Sequence, residues 1–191
     1  MGRCKLNVLP KLGLFSIIVL SMTYSNDSQS SYDKLRFNGF EKQKYDNTCG
    51  VASLSDIFKN HFSIEKNELE LLKYFHLKPE YSFADLSLVA DKFHIKTAGV
   101  KITPSQIKEI HSPAILYLKR FGKGHFVILK GVDEFWVQIQ DPAWGILNYT
   151  HKQFNQYWLQ SDGLGRALIF IKQSNLKINR DKVYQKIIPT Y

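Results

Sequence analysis

The apolar pattern changes period near His111, and that change fixes most of what this chain can become. Upstream, apolar residues recur every three to four positions, the spacing of a helix with one buried face. Val51, Leu54, Ile57, Phe58 and Phe62 follow this rule, with Asn47 or Thr48 standing where a cap belongs. A second helix is expected from Glu65 to Phe75, and a third from Ser82 to Phe93, where Ser82 and Asp85 have capping-box spacing. Thr103, Pro104 and Gln106 supply cap, first-turn proline and capping-box glutamine for a short helix ending near His111. Downstream the apolar runs shorten. Ala114–Leu118, His125–Leu129, Phe135–Ile139, Ile146–Tyr149 and Ala167–Ile171 read as strands punctuated by glycine or proline. Before the last of them, Thr150 and Gln153 form another capping box, for a helix through Gln156 that lays Phe154, Tyr157 and Trp158 on the core. The expectation is an α+β fold, with an N-terminal helical half packed on a C-terminal antiparallel sheet.

A chain of 191 residues with 44% apolar content fills one core and is short for two domains and a linker. There is no internal repeat, no low-complexity tract and no G-x-x-x-x-G-K-[ST] loop, so ATP is not an expected partner. The ends differ from the body. Arg3, Lys5 and Lys11 precede an apolar run from Leu12 to Met22, followed by small and polar residues, which is the layout of a secretory signal over residues 1–25. The run is too short to cross a bilayer comfortably, since a spanning helix takes roughly 20 residues. Cleavage after Ser25 is one reading and an uncleaved amphipathic anchor the other. Export to the periplasm or the exterior follows from either, with membrane contact only through this segment. Its removal leaves 23 basic residues against 17 acids, a net charge of +6. The body then runs from 26 to 172. A basic tail, 173–191, carries Lys177, Arg180, Lys182 and Lys186. That charge suits an acidic polymer or an anionic membrane as well as plain solubility, and no nucleic-acid motif sharpens it.

Of two cysteines, Cys4 lies in the signal and Cys49 stands alone in the body, so an internal disulfide is excluded there. In the first turn of a helix, unpaired backbone N–H groups and the helix dipole favour a thiolate, and Gly50 beside it leaves room for an incoming peptide backbone. Cys49 equally fits a small apolar residue in a buried helix. His125 opens an apolar strand after the flexible Gly122-Lys123-Gly124, a rigid mount for a base, although a strand histidine is often only a satisfied polar group. Asp141 ends the next strand, and the tight turn at Asp133-Glu134 brings it beside the start of the previous one, close to His125. A carboxylate there fixes the imidazole tautomer and stabilises the imidazolium; an aspartate before a proline is also an ordinary turn residue. Gln43, six residues before Cys49, is placed to donate into an oxyanion hole, or is an exposed polar residue.

The chain order glutamine, cysteine, histidine, aspartate is that of papain-like peptidases. Two blocks, QKYDNTCGVAS from Gln43 to Ser53 and GHFVILKGVDEFWVQIQDPAWG from Gly124 to Gly145, resemble the peptidase C39 family, and the resemblance extends to about Lys172. It implies a papain-like fold with Cys49 as nucleophile, His125 as base, Asp141 as third member and Gln43 as oxyanion donor, and no metal or cofactor. Many members are parts of bacteriocin exporters that trim leader peptides after a double glycine. A chain with its own export signal is expected to be a stand-alone exported member, of the kind that accompanies secretion systems for surface fibres. The expected activity is hydrolysis of a peptide or protein substrate through a thioester. The rival readings are a catalytically silent peptide-binding module, acyl transfer to an amine, and a structural protein with a buried thiol.

Overall fold

The structure is a computed structural model that describes residues 35–37 and 39–171. The expected signal, 1–25, and the basic tail, 173–191, lie outside the described residues. The chain divides into two compact units, residues 1–38 and 39–191. Of the first, the description covers only a helical step at Leu35 and Arg36 and a turn at Phe37.

The second unit begins with helix α1, Cys49–Phe62, whose Val51, Leu54, Ile57 and Phe58 are fully buried. Helix α2, Glu68–Leu72, is shorter than the expected 65–75. The capping box of Asn67 and Glu70 sets its start, and the bonds from the N–H groups of Tyr74 and Phe75 back to Leu71 and Leu72 tighten its end into a turn. Helix α3, Phe83–Lys92, starts at the Ser82–Asp85 box. The segment headed by Thr103 is a 3₁₀ helix, Pro104–Glu109. Helix α4, His151–Trp158, follows the Thr150–Gln153 box.

The strands are β1 (Lys96–Ile102), β2 (Ala114–Arg120), β3 (Lys123–Val132), β4 (Trp136–Asp141), β5 (Gly145–Thr150) and β6 (Gly165–Ile171). They form one antiparallel sheet in the order β1-β6-β2-β3-β4-β5. Strand β1 departs from the expected division into a helical and a sheet half. It is an edge strand that pairs with β6 through Lys96, Thr97 and Lys101, side chains too polar to announce a strand. The sheet has a core on each face. Phe126, Ile128, Ile115 and Leu168 pack against α1 and α3; Val127, Leu129, Leu116 and Ile139 pack against Phe154 and Trp158 of α4. The fold is α+β, helices on an antiparallel sheet. Among the described residues no helix is long and apolar enough to cross a membrane.

Candidate active site

Cys49 is the first residue of α1 and is only 6% exposed. Neither expected cap forms a side-chain bond to the helix. Thr48 occupies the cap position but turns its hydroxyl back to bond the backbone carbonyl and N–H of Tyr45. This ties the loop before the helix to its first turn. The sulfur accepts the Phe126 N–H of β3 at 3.5 Å, so the helical layer and the sheet meet at the thiol.

His125 and Asp141 come together through strand register. Ile128 pairs with Gln140, which sets Asp141 opposite Val127 and one side-chain step from His125 on the same face. Nε2 of His125 lies 2.7 Å from Oδ1 of Asp141. The Cys49 thiol, which meets the N–H of the next residue, Phe126, lies close enough to the ring to act on its charge. Burial works against the ring's charge, yet the hydrogen bonds and negative charges of Asp141 and Cys49 outweigh it and push the imidazole up from 6.5 to about 9. Asp141 is wholly buried. Its Oδ1 also accepts the N–H groups of Ala143 at 2.8 Å and Trp144 at 3.2 Å, so the turn after β4 fixes the carboxylate. Its Oδ2 meets Nη2 of Arg120 at 3.3 Å, an ion pair without hydrogen-bond geometry.

Gln43 reaches the same cleft, held there by its own N–H on the Pro142 carbonyl at 2.8 Å. Its amide is engaged by its own loop. Nε2 donates to the Tyr45 carbonyl at 2.8 Å and, weakly, to that of Asp46 at 3.4 Å, while Oε1 is buried without a partner. Glu68 of α2, buried and raised by that burial, accepts the Lys44 N–H at 2.9 and 3.2 Å and so pins this loop to the helical layer. Sequence reasoning missed both Glu68 and Arg120. A glutamate in a helix's first turn reads as a partner of the helix dipole, and an arginine past a strand's apolar run reads as solvated; only the fold buries them.

Two clefts of about 520 Å³ each meet over this constellation, sharing Asp46, Lys123 and Gly124. One is walled by Cys49, Tyr81, Phe83, Tyr117 and Phe126, the other by Gln43, His125, Phe121 and Trp144. An extended chain laid through both passes the sulfur and the imidazole in turn. Among the described residues no cluster of three or more histidine, cysteine, aspartate or glutamate side chains is placed to hold a metal.

Comparison with known proteins agrees with this architecture. The chain is 27% identical over 131 residues to the probable functional amyloid protease FapD of Pseudomonas aeruginosa and 24% identical to that of Pseudomonas fluorescens; the match takes in 64% of this chain and 58% of each relative. Among solved structures, the peptidase domain of Streptococcus ComA, a bifunctional ABC transporter of a quorum-sensing pathway, shares the fold at 18% identity. Its TM-score is 0.60, over 70% of this chain and 97% of that one. A double-glycine-motif protease from an AMS/PCAT transporter, solved with a leader peptide, gives 22% identity and a TM-score of 0.58, over 69% of this chain and 89% of that one. The family model for peptidase C39 matches residues 38–164, most of the chain and both motif blocks, and the chain therefore belongs to the peptidase C39 family.

Proposed function

We propose that this chain is a cysteine endopeptidase that hydrolyses peptide bonds in an exported protein or leader peptide through a thioester at Cys49. One observation carries the reading: an imidazole bonded to a buried carboxylate at 2.7 Å stands next in sequence to the N–H that meets a thiol at a helix start. The thiolate of Cys49 attacks the scissile carbonyl, and the oxyanion takes the Cys49 N–H and a Gln43 amide hydrogen. Gln43 reaches it by rotating its whole amide off the Tyr45 and Asp46 carbonyls. The imidazolium of His125 protonates the departing amine, the C–N bond breaks and a thioester remains. Water then gives a proton to His125, attacks the thioester and releases the acid and the thiolate. Asp141 keeps Nε2 occupied, so that Nδ1 faces the sulfur.

The leaving amine must depart beside its proton donor, so the substrate segment after the scissile bond occupies the cleft with His125 and Trp144. The segment before it occupies the aromatic cleft beside Cys49. The relatives named for functional amyloid make a fibre-forming surface protein, or a partner in its export, the first substrate to try. The site of action is the periplasm or the exterior, reached by way of residues 1–25. Incubating such a protein with wild type and with Cys49→Ala tests the reading by product mass. Hydrolysis products are expected from wild type alone; unchanged cleavage by Cys49→Ala would sink it. Capture of the substrate without any product would identify a silent binding module instead.

A further inference from the structure

Arg120, the last residue of β2, occupies a place that a solvated arginine does not. Its side chain is 13% exposed, and it shares a sheet face with the wholly buried Asp141. Its guanidinium lies beside two phenol rings that pack on each other at 5.7 Å, 5.8 Å from the centre of Tyr149 on β5 and 5.6 Å from that of Tyr157 on α4, and Nη2 donates to the Tyr149 hydroxyl at 2.8 Å. Such a cage supplies cation–π attraction from both rings and fixes where the charge sits. That place is 3.3 Å from Oδ2 of Asp141, the one carboxylate oxygen that no hydrogen bond satisfies.

We propose that Arg120 is a positioning residue for the reaction: held by Tyr149 and Tyr157, it anchors Oδ2 of Asp141, presents Oδ1 to His125, and limits how strongly the carboxylate favours the imidazolium. The inference rests on the peptidase reading and adds to it a fourth member of the charge chain. A thiolate, an imidazolium and a carboxylate alone carry a net negative charge into a buried site, and the guanidinium cancels it. Arg120 forms part of the wall of the cleft with His125, and the member of the charge chain it meets is Asp141, so its influence on the imidazole passes through the carboxylate. The groups that face His125 at close quarters are Cys49 from α1 and Asp141 from β4, with Arg120 of β2 behind the carboxylate. The cleft rim adds Lys42, Lys44, Asp46 and Lys123, all exposed and screened by water.

The test is an NMR titration of the His125 ring in the full chain, in wild type, Arg120→Met, Arg120→Gln and Arg120→Lys. Losing a positive charge behind Asp141 leaves the carboxylate's field unopposed, so the imidazolium persists to higher pH. Both neutral variants are expected to titrate about one pH unit above wild type, and Arg120→Lys close to it. Glutamine, which retains hydrogen-bonding reach into the cage, keeps the test open if methionine prevents folding. A role limited to packing would leave the titration in place. Neutral variants that titrate with wild type, or a lysine variant that shifts as far as they do, would overturn the inference alone. A wild-type ring titrating near its ordinary 6.5 would remove the ion pair, and with it the peptidase reading on which the inference stands.

Discussion

A Cβ built on Gly50 would lie 2.9 Å from Cδ2 of Phe126 and 3.3 Å from a methyl of Leu86, both in the core between α1 and the sheet. The bare backbone is what lets the start of α1 come close enough to β3 for the thiol to reach both the Phe126 N–H and the imidazole. Gly50→Ala is expected to cost about 1–3 kcal/mol of stability, and to lower kcat/KM roughly 100-fold, because the helix must retreat from its base. Denaturant unfolding beside a peptide-cleavage assay separates the two effects; full activity would contradict the packing argument. At His125 the raised value sets a pH window. Since the folded-state value of about 9 lies above the ordinary 6.5, its contribution to stability is full below pH 6.5 and is lost as pH rises through about 9. Activity should fall over the same alkaline range, and a pH–rate profile that still climbs past pH 10 would contradict the ion pair. That Cys49, His125 and Asp141 come together was readable from chain order and the two motif blocks. The direction of the Gln43 amide was not, because it depends on carbonyls of its own loop, which sequence spacing does not orient.

The caps were the most legible elements. Boxes expected at Ser82, Thr103 and Thr150 all form, because a hydroxyl and an acceptor three residues apart satisfy two helix-end N–H groups with no help from the rest of the fold. Strand β1 was illegible for the opposite reason: it gains its place from pairing with β6, and its side chains alternate between half-buried and exposed. That far end of the chain also fixes α4. Gly165, at the start of β6, lies beneath the fully buried Trp158, and a Cβ there would fall 2.0 Å from the indole. The indole N–H donates to the neighbouring Arg166 carbonyl at 3.1 Å, so the ring has no second place to go. Gly165→Ala should expel it and cost about 3–5 kcal/mol, as removing a buried Trp does, lowering Tm by roughly 6–20 °C. Calorimetry reads this directly, and an unchanged melting temperature would show that the helix can slide.

At the scale of the whole molecule, the change of period near His111 gave the layers but not their order, since β6, last in sequence, inserts between β1 and β2. Sheet order is set by which edges find partners, a long-range matter that local pattern does not carry. The proposed route of export belongs to this scale as well. If residues 1–25 are a cleaved signal, the full chain expressed in a bacterium that exports it should be recovered outside the cytoplasm with a new N-terminus at Asn26, which intact mass would show; full-length protein in the membrane fraction would make the segment an anchor. Transit by that proposed route would have a consequence for the site. The sulfur and the Phe126 amide that meets it stand 77 residues apart, one on a helix and the other on a sheet. On the proposed route, a chain threaded unfolded through a membrane channel has no assembled site, and the proposed activity waits until the two layers close.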